Sequence, residues 1–182
     1  MKTDQMKRQR MAEIAHYETL QGYEGNEFKG GNQIEKYLAD FRKAFIELEN
    51  KEQDWHNVEI GFDWCGAFVC WCAREAGFKL PIIKPIAIGG SLASVPIWYH
   101  YANSEECNFF YSAKDEHFHP EAGDLVLYNH VFSGRDLDHI GVVIKVDDDY
   151  LITAEGNEDN RAQLLRRKRD HHINGYVRLQ NL

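Results

Sequence analysis

Met11, Ile14 and Ala15 recur at helical spacing and predict a first helix over about residues 5–20, broken by the glycines at 22, 25, 30 and 31. A second helix is expected from Asn32, with Glu35 three positions on as a capping-box partner. Ile34, Leu38, Phe41, Phe45 and Leu48 give it an apolar stripe, and it should end near Asn50. The third has Asp63 as its candidate cap, the run WCGAFVCWCAREA as its body and Gly77 as its stop. Positions 65, 68, 69, 72 and 76 follow helical steps, so Cys65 lies on the buried stripe and its sulfur should point inward.

Residues 80–123 hold all four prolines, the Gly89–Gly90 pair and an aromatic stretch from Trp98 to Tyr111. Loops are expected there, with a short helix starting near Ser94-Val95-Pro96. The pattern then becomes that of strands: Leu125–Tyr128, Ile140–Val146, Leu151–Ala154, Gln163–Arg169 and Tyr176–Leu179, with Asp147-Asp148-Asp149 as a hairpin turn. Helices first and strands last describe an α+β chain whose N-terminal helices, the third above all, pack on a C-terminal antiparallel β-sheet. No repeat, linker or low-complexity segment divides the chain, so a single domain over residues 1–182 is expected.

Composition narrows the function classes. The chain is 43% hydrophobic and 13% aromatic, a folding composition, and 182 residues suffice for a core without covalent staples. A net charge of −8 disfavours sequence-independent binding to phosphate backbones, despite the local run Arg166-Arg167-Lys168-Arg169, so no nucleic acid partner is expected. That run alternates sides on a strand and reads as a solvated face. Neither a signal-peptide h-region nor a membrane-spanning stretch is visible, so no membrane is expected as partner and synthesis in a cytoplasm is. The cysteines at 65, 70, 72 and 107 read as free thiols, because three fall in one helix where Cys70 and Cys72 cannot face each other.

One of those thiols is placed for chemistry. A thiol attacks an amide as thiolate, and the unpaired N–H groups and dipole of a helix start favour negative charge where Cys65 is expected to sit. The same N–H groups could donate to the oxyanion of a tetrahedral intermediate. A base must come from elsewhere, and His139 opens the strand HIGVVIKV, with Gly141 leaving room beside the imidazole. If the hairpin register is even, His139, Glu155 and Asn157 project from one face, and a carboxylate or amide there can hold the imidazole in the tautomer that accepts the thiol proton. Asp138, adjacent in sequence, should point to the opposite face.

The blocks DWCGAFVCWCAREAG, SVPIWYHYA, PEAGDLVLYN, DHIGVVIKVDDDYLITAEGN and INGYVRL, with EGNEFKGGNQIEKY ahead of them, resemble the CHAP family of cysteine- and histidine-dependent amidohydrolases and peptidases over roughly residues 10–180. The resemblance implies a papain-like fold with Cys65 as nucleophile, His139 as base, and Glu155 and Asn157 as the polar residues that orient and support the histidine. It also implies peptidoglycan as substrate, cut as an N-acetylmuramoyl-L-alanine amidase or as an endopeptidase of stem peptides and cross-bridges. Some phage members carry an aspartate-rich calcium loop ahead of the cysteine. Residues 54–63 are too sparse in carboxylates to match it, so no metal and no organic cofactor are expected.

The remaining candidates receive structural assignments. Cys70, Cys72 and Cys107 read as small buried core residues, since Cys70-x-Cys72 on a helix is not a zinc spacing. His117, His119, His130, His171 and His172 read as exposed histidines. A monomer acting on the bacterial wall after release or delivery is the expectation, with an immunity or delivery protein as a candidate partner. Two alternatives stand beside it: a cytoplasmic amidase for a glutathionylspermidine-like conjugate, and a catalytically inactive wall-binding module.

Overall fold

A computed structural model describes residues 2–83 and 90–180, so the loop expected around Gly89 lies outside the described residues. The described elements are α1 (Lys2–Thr19), α2 (Glu35–Glu47), α3 (Cys65–Glu75), α4 (Val95–Ala102), β1 (Phe110–Ser112), β2 (Leu125–Tyr128), β3 (His139–Val146), β4 (Tyr150–Glu158), β5 (Arg161–Lys168) and β6 (Ile173–Val177). The strands form one antiparallel sheet in the order β1-β6-β2-β3-β4-β5. The fold is therefore α+β, with the helices ahead of the sheet in the chain.

α3 packs on β3 and β4, α1 packs on α3 and also on β3, β4 and β5, and α2 packs on α3. The apolar stripe explains this placement: Phe68, Val69, Cys72 and Ala76 are buried in a core shared with Leu125, Leu127, Ile140, Val142 and Ala154 of the sheet. Each fully buried aliphatic side chain there is worth about 1.5–3 kcal/mol. Strand alternation sends the intervening residues to the other face, where Val126, Tyr128, Val143, Leu151, Ile173 and Tyr176 build a second apolar cluster. Gly156 of β4 lets α3 approach, because a Cβ there would lie 2.5 Å from that of Phe68 and 2.8 Å from the Trp64 ring.

Helix starts differ from the sequence expectation. α2 begins at Glu35, three residues after Asn32, and no capping box forms. Residues 31–34 make a turn instead, and the Glu35 carboxylate accepts a hydrogen bond from Arg42 at 2.9 Å. In α3 the cap position belongs to Trp64, without a side-chain hydrogen bond, while Asp63 is turned to Lys29 and Asn157. Strand β1 was not expected, since its three residues are too short to show a period; β4 runs on to Glu158 and β6 starts at Ile173.

Candidate active site

The start of α3 and the start of β3 meet at one end of the sheet. Trp64 fixes the helix end: it is fully buried, stacks on Tyr37 at 5.5 Å and donates from its indole nitrogen to Asn160 at 3.1 Å. Cys65 follows as the first helical residue and is itself buried. The first bond involving the helix start runs from the Phe68 N–H to the Trp64 carbonyl, so the N–H groups ahead of it stand outside the helical ladder. With no side chain capping them, they remain as donors beside the sulfur.

His139 is fully buried and held on several sides. Its Nε2 lies 2.8 Å from Glu155 Oε2 and 3.7 Å from Glu158 Oε2. Nδ1 has no hydrogen-bond partner among the described residues, and the Cys65 thiol is one of the groups that raise the ring's pKa. With Nε2 committed to Glu155, the nitrogen left for the sulfur is Nδ1. Phe132 stacks on the imidazole at 5.5 Å, and Tyr128, its cross-strand partner on β2, at 6.3 Å.

Gly141 explains how Glu155 reaches the ring. A Cβ at 141 would sit 2.7 Å from Glu155 Cγ, so the carboxylate side chain fills the space the glycine leaves. Glu155 is in turn fully spoken for. Thr153 donates to Oε1 at 2.6 Å, Arg167 Nε donates to Oε1 at 3.0 Å, and Arg167 Nη2 donates to Oε2 at 2.6 Å. The same Nη2 also reaches Glu158 at 3.0 Å.

These contacts set the charge states. Burial opposes a charged His139, but the Cys65 sulfur and the Glu155 carboxylate outweigh it and raise the imidazole well above its ordinary value. Burial likewise opposes an ionised Glu155, and the bonds from His139 and Arg167 win, holding it down at about 2. At neutral pH the site therefore contains a glutamate anion and an imidazole built to carry a proton.

The structure brings Cys65, His139 and Glu155 together, whereas Asn157 is placed differently from the expectation. It is buried, but its amide donates to Asp63 at 3.0 Å rather than to the imidazole. The cause is local: the β4–β5 register shifts between Glu155 and Glu158, and Asn157 has φ of 62°, so side-chain alternation breaks there. Asp138 does not support the histidine; its carboxylate accepts the N–H groups of Val131, Phe132, Ser133 and Gly134 at 2.7–3.2 Å. It thereby organises the loop that carries Phe132.

Sequence reasoning noted that residues 166–169 alternate sides on a strand but read the run as a solvated face, and so missed Arg167. Arg166 and Lys168 are exposed, but Arg167 points to the other face and is only partly exposed. The pattern of the run alone does not show that this other face carries Glu155.

A cleft of about 530 Å³ opens onto Cys65, with Phe45, Trp55 and Phe62 along one side and the 132–138 loop along the other. Among the described residues, two side-chain groups have the composition to hold a cation. In one, His139, Glu155 and Glu158, both carboxylates are already bonded to Arg167, which an ion would have to displace. The other is Asp170, His171 and His172 on a turn.

The family model for the CHAP domain matches residues 57–157, more than half of the chain and a span that contains Cys65, His139, Glu155 and Asn157. No curated protein and no solved structure matches. The chain belongs to the CHAP family, whose members are cysteine- and histidine-dependent amidohydrolases and peptidases.

Proposed function

We propose that the protein is a peptidoglycan hydrolase cleaving amide bonds, either N-acetylmuramoyl-L-alanine linkages or those of stem peptides and cross-bridges. The observations that carry this reading are Cys65 lining an open cleft at the start of α3, and a buried His139 that Glu155 holds through Nε2 and whose pKa Cys65 helps to raise. In the proposed cycle the Cys65 thiolate attacks the amide carbonyl carbon, and the free N–H groups at the start of α3 stabilise the oxyanion. The protonated His139 gives its proton to the leaving amine as the C–N bond breaks. It then takes a proton from the water that attacks the acyl-enzyme, and the thiolate leaves. The chain's own residues supply every proton transfer in this scheme.

The cleft is open at the surface, which suits an extended polymer. Among the described residues no helix is long and apolar enough to cross a membrane. In this reading the protein acts on the bacterial wall after release or delivery. The test is digestion of purified sacculi with mass spectrometry of the fragments, with Cys65→Ala as control. Soluble fragments from the parent and none from the variant are expected; equal release by both would overturn the assignment.

A second reading is an amidase for a small ammonium-bearing conjugate. It is favoured by the charges of the cleft, where Glu52, Asp63, Asp136 and Asp138 stand against Arg135. Turnover of soluble polyamine conjugates, with intact sacculi left undigested, would select it over the first.

A further inference from the structure

We propose that Arg167 is a positioning residue of the active site, one that clamps the Glu155 carboxylate against His139 and, together with Glu158, sets the charge balance of the Cys65–His139 pair. The inference rests on the reading of Cys65 and His139 as nucleophile and base, and deepens it. Arg167 leaves β5, the strand beyond the one that carries Glu155, and lies opposite Leu151 in the β4–β5 register. Its planar fork spans both oxygens of Glu155, Nε on Oε1 and Nη2 on Oε2, a geometry that fixes the carboxylate plane as well as its position.

The fork leaves Oε2 shared. The same oxygen that Arg167 Nη2 holds at 2.6 Å faces His139 Nε2 at 2.8 Å. A carboxylate gripped only by the imidazole could swing about its last bond. One gripped from behind by a guanidinium, with Thr153 on its other oxygen, cannot. Glu158 closes the arrangement, within 3.0 Å of Arg167 and 3.7 Å of His139.

Among the described residues, charged or titratable groups face the imidazole from four elements. α3 presents Cys65, β2 presents Tyr128, β4 presents Glu155 and Glu158, and β5 presents Arg167 across Glu155. The neighbouring Asp138 is directed into the 131–134 loop, and Asp63 is engaged with Lys29 and Asn157. Counting these, Arg167 is the cation that offsets the two β4 carboxylates. Removing its charge makes proton loss harder at both members of the pair, because each loss then occurs in a more negative surrounding. Removing the charge of Glu158 does the reverse.

The test needs no substrate. The pH dependence of Cys65 alkylation by iodoacetamide, resolved by peptide mass spectrometry, and the imidazole titration of His139 by NMR are measured in the parent and in Arg167→Gln, Arg167→Lys and Glu158→Gln. Arg167→Gln should move both midpoints upward by about one pH unit, roughly tenfold in the ionisation constants. Glu158→Gln should move them downward, and Arg167→Lys should leave them near the parent values while broadening the His139 signal as the fork is lost. Unchanged midpoints in both charge-removing variants would overturn the inference, as would shifts of the opposite sign. A parent Cys65 no more reactive near neutral pH than an ordinary thiol would instead count against the nucleophile assignment, and the His139 titrations would still decide the role of Arg167. Should Arg167→Gln fail to fold, Glu158→Gln still carries the test through its downward shift, and Arg167→Lys through midpoints that stay near those of the parent.

Discussion

His139 and Glu155 meet across β3 and β4 at 2.8 Å, over the space that Gly141 leaves empty. The pair is buried to exclusion of solvent, so the interaction is scarcely screened, and Arg167 and Thr153 satisfy the remaining oxygen sites of the carboxylate. A base held in this way has one ring nitrogen committed, and the other is left for Cys65.

Glu155→Gln should lower the rate of amide cleavage by about 10²–10⁴-fold while the helices and sheet persist. It should also destabilise the fold by about 3–5 kcal/mol, since Arg167 is left without its buried partner. The pH dependence follows from the sign of each shift. Glu155, held down at about 2, stabilises the fold above its ordinary value of 4.5, and that contribution is lost as pH falls towards 2. His139, raised to about 10, contributes fully below 6.5 and loses its contribution as pH rises through about 10. Urea unfolding across this range should show both losses in the parent and a flattened acid limb in the variant.

Gly141→Ala is expected to be more harmful than a surface glycine change. The new methyl would stand 2.7 Å from Glu155 Cγ and 3.3 Å from the Ala154 carbonyl oxygen, contacts that force the carboxylate away from Nε2. A cost of about 1–3 kcal/mol is typical of such overpacking. Thermal unfolding and the fragment-release assay together check this, and a variant with parental rate and stability would show that Glu155 has another route to the ring.

Asp138 should matter through the loop it holds. Four backbone N–H groups converge on its carboxylate, and although burial works against the charge, those bonds lower its pKa below the usual carboxylate range. Its contribution is therefore present above the ordinary value and fades in more acid solution. Asp138→Ala should speed hydrogen exchange over residues 131–134 by at least about tenfold and raise KM more than it lowers kcat, because Phe132 and the cleft wall lose their fixed position. Unaltered exchange in that loop would contradict this account.

Much of the architecture was legible because its elements are periodic. The stripe through Cys65, Phe68, Val69, Cys72 and Ala76 and the alternation of β3 are long enough to state which face is buried. Cys65 and His139 could be named because a helix start and a strand start are legible in the pattern, while the assignment of Glu155 and the weight given to Cys65 came from the resemblance to the CHAP family. Asn157 could not be placed, since a register shift and a left-handed backbone conformation turn its side chain towards Asp63, and period-two reasoning does not foresee either. Nor did the unformed capping box at Asn32 announce itself, because Glu35 finds Arg42 about two turns further along α2, a partner the pattern alone did not weigh. Arg167 was missed although the run's alternation was seen, because nothing in residues 166–169 themselves shows that the second side carries the Glu155 carboxylate rather than solvent.

The most direct test of the account is the alkylation rate of Cys65 near pH 6 in the parent and in His139→Ala, followed peptide by peptide so that Cys70, Cys72 and Cys107 serve as internal references. The thiol–imidazole contact predicts fast modification of Cys65 in the parent and a loss of at least about tenfold in the variant, with the other three unchanged. Equal rates in the two proteins would contradict the pairing on which the proposed chemistry stands.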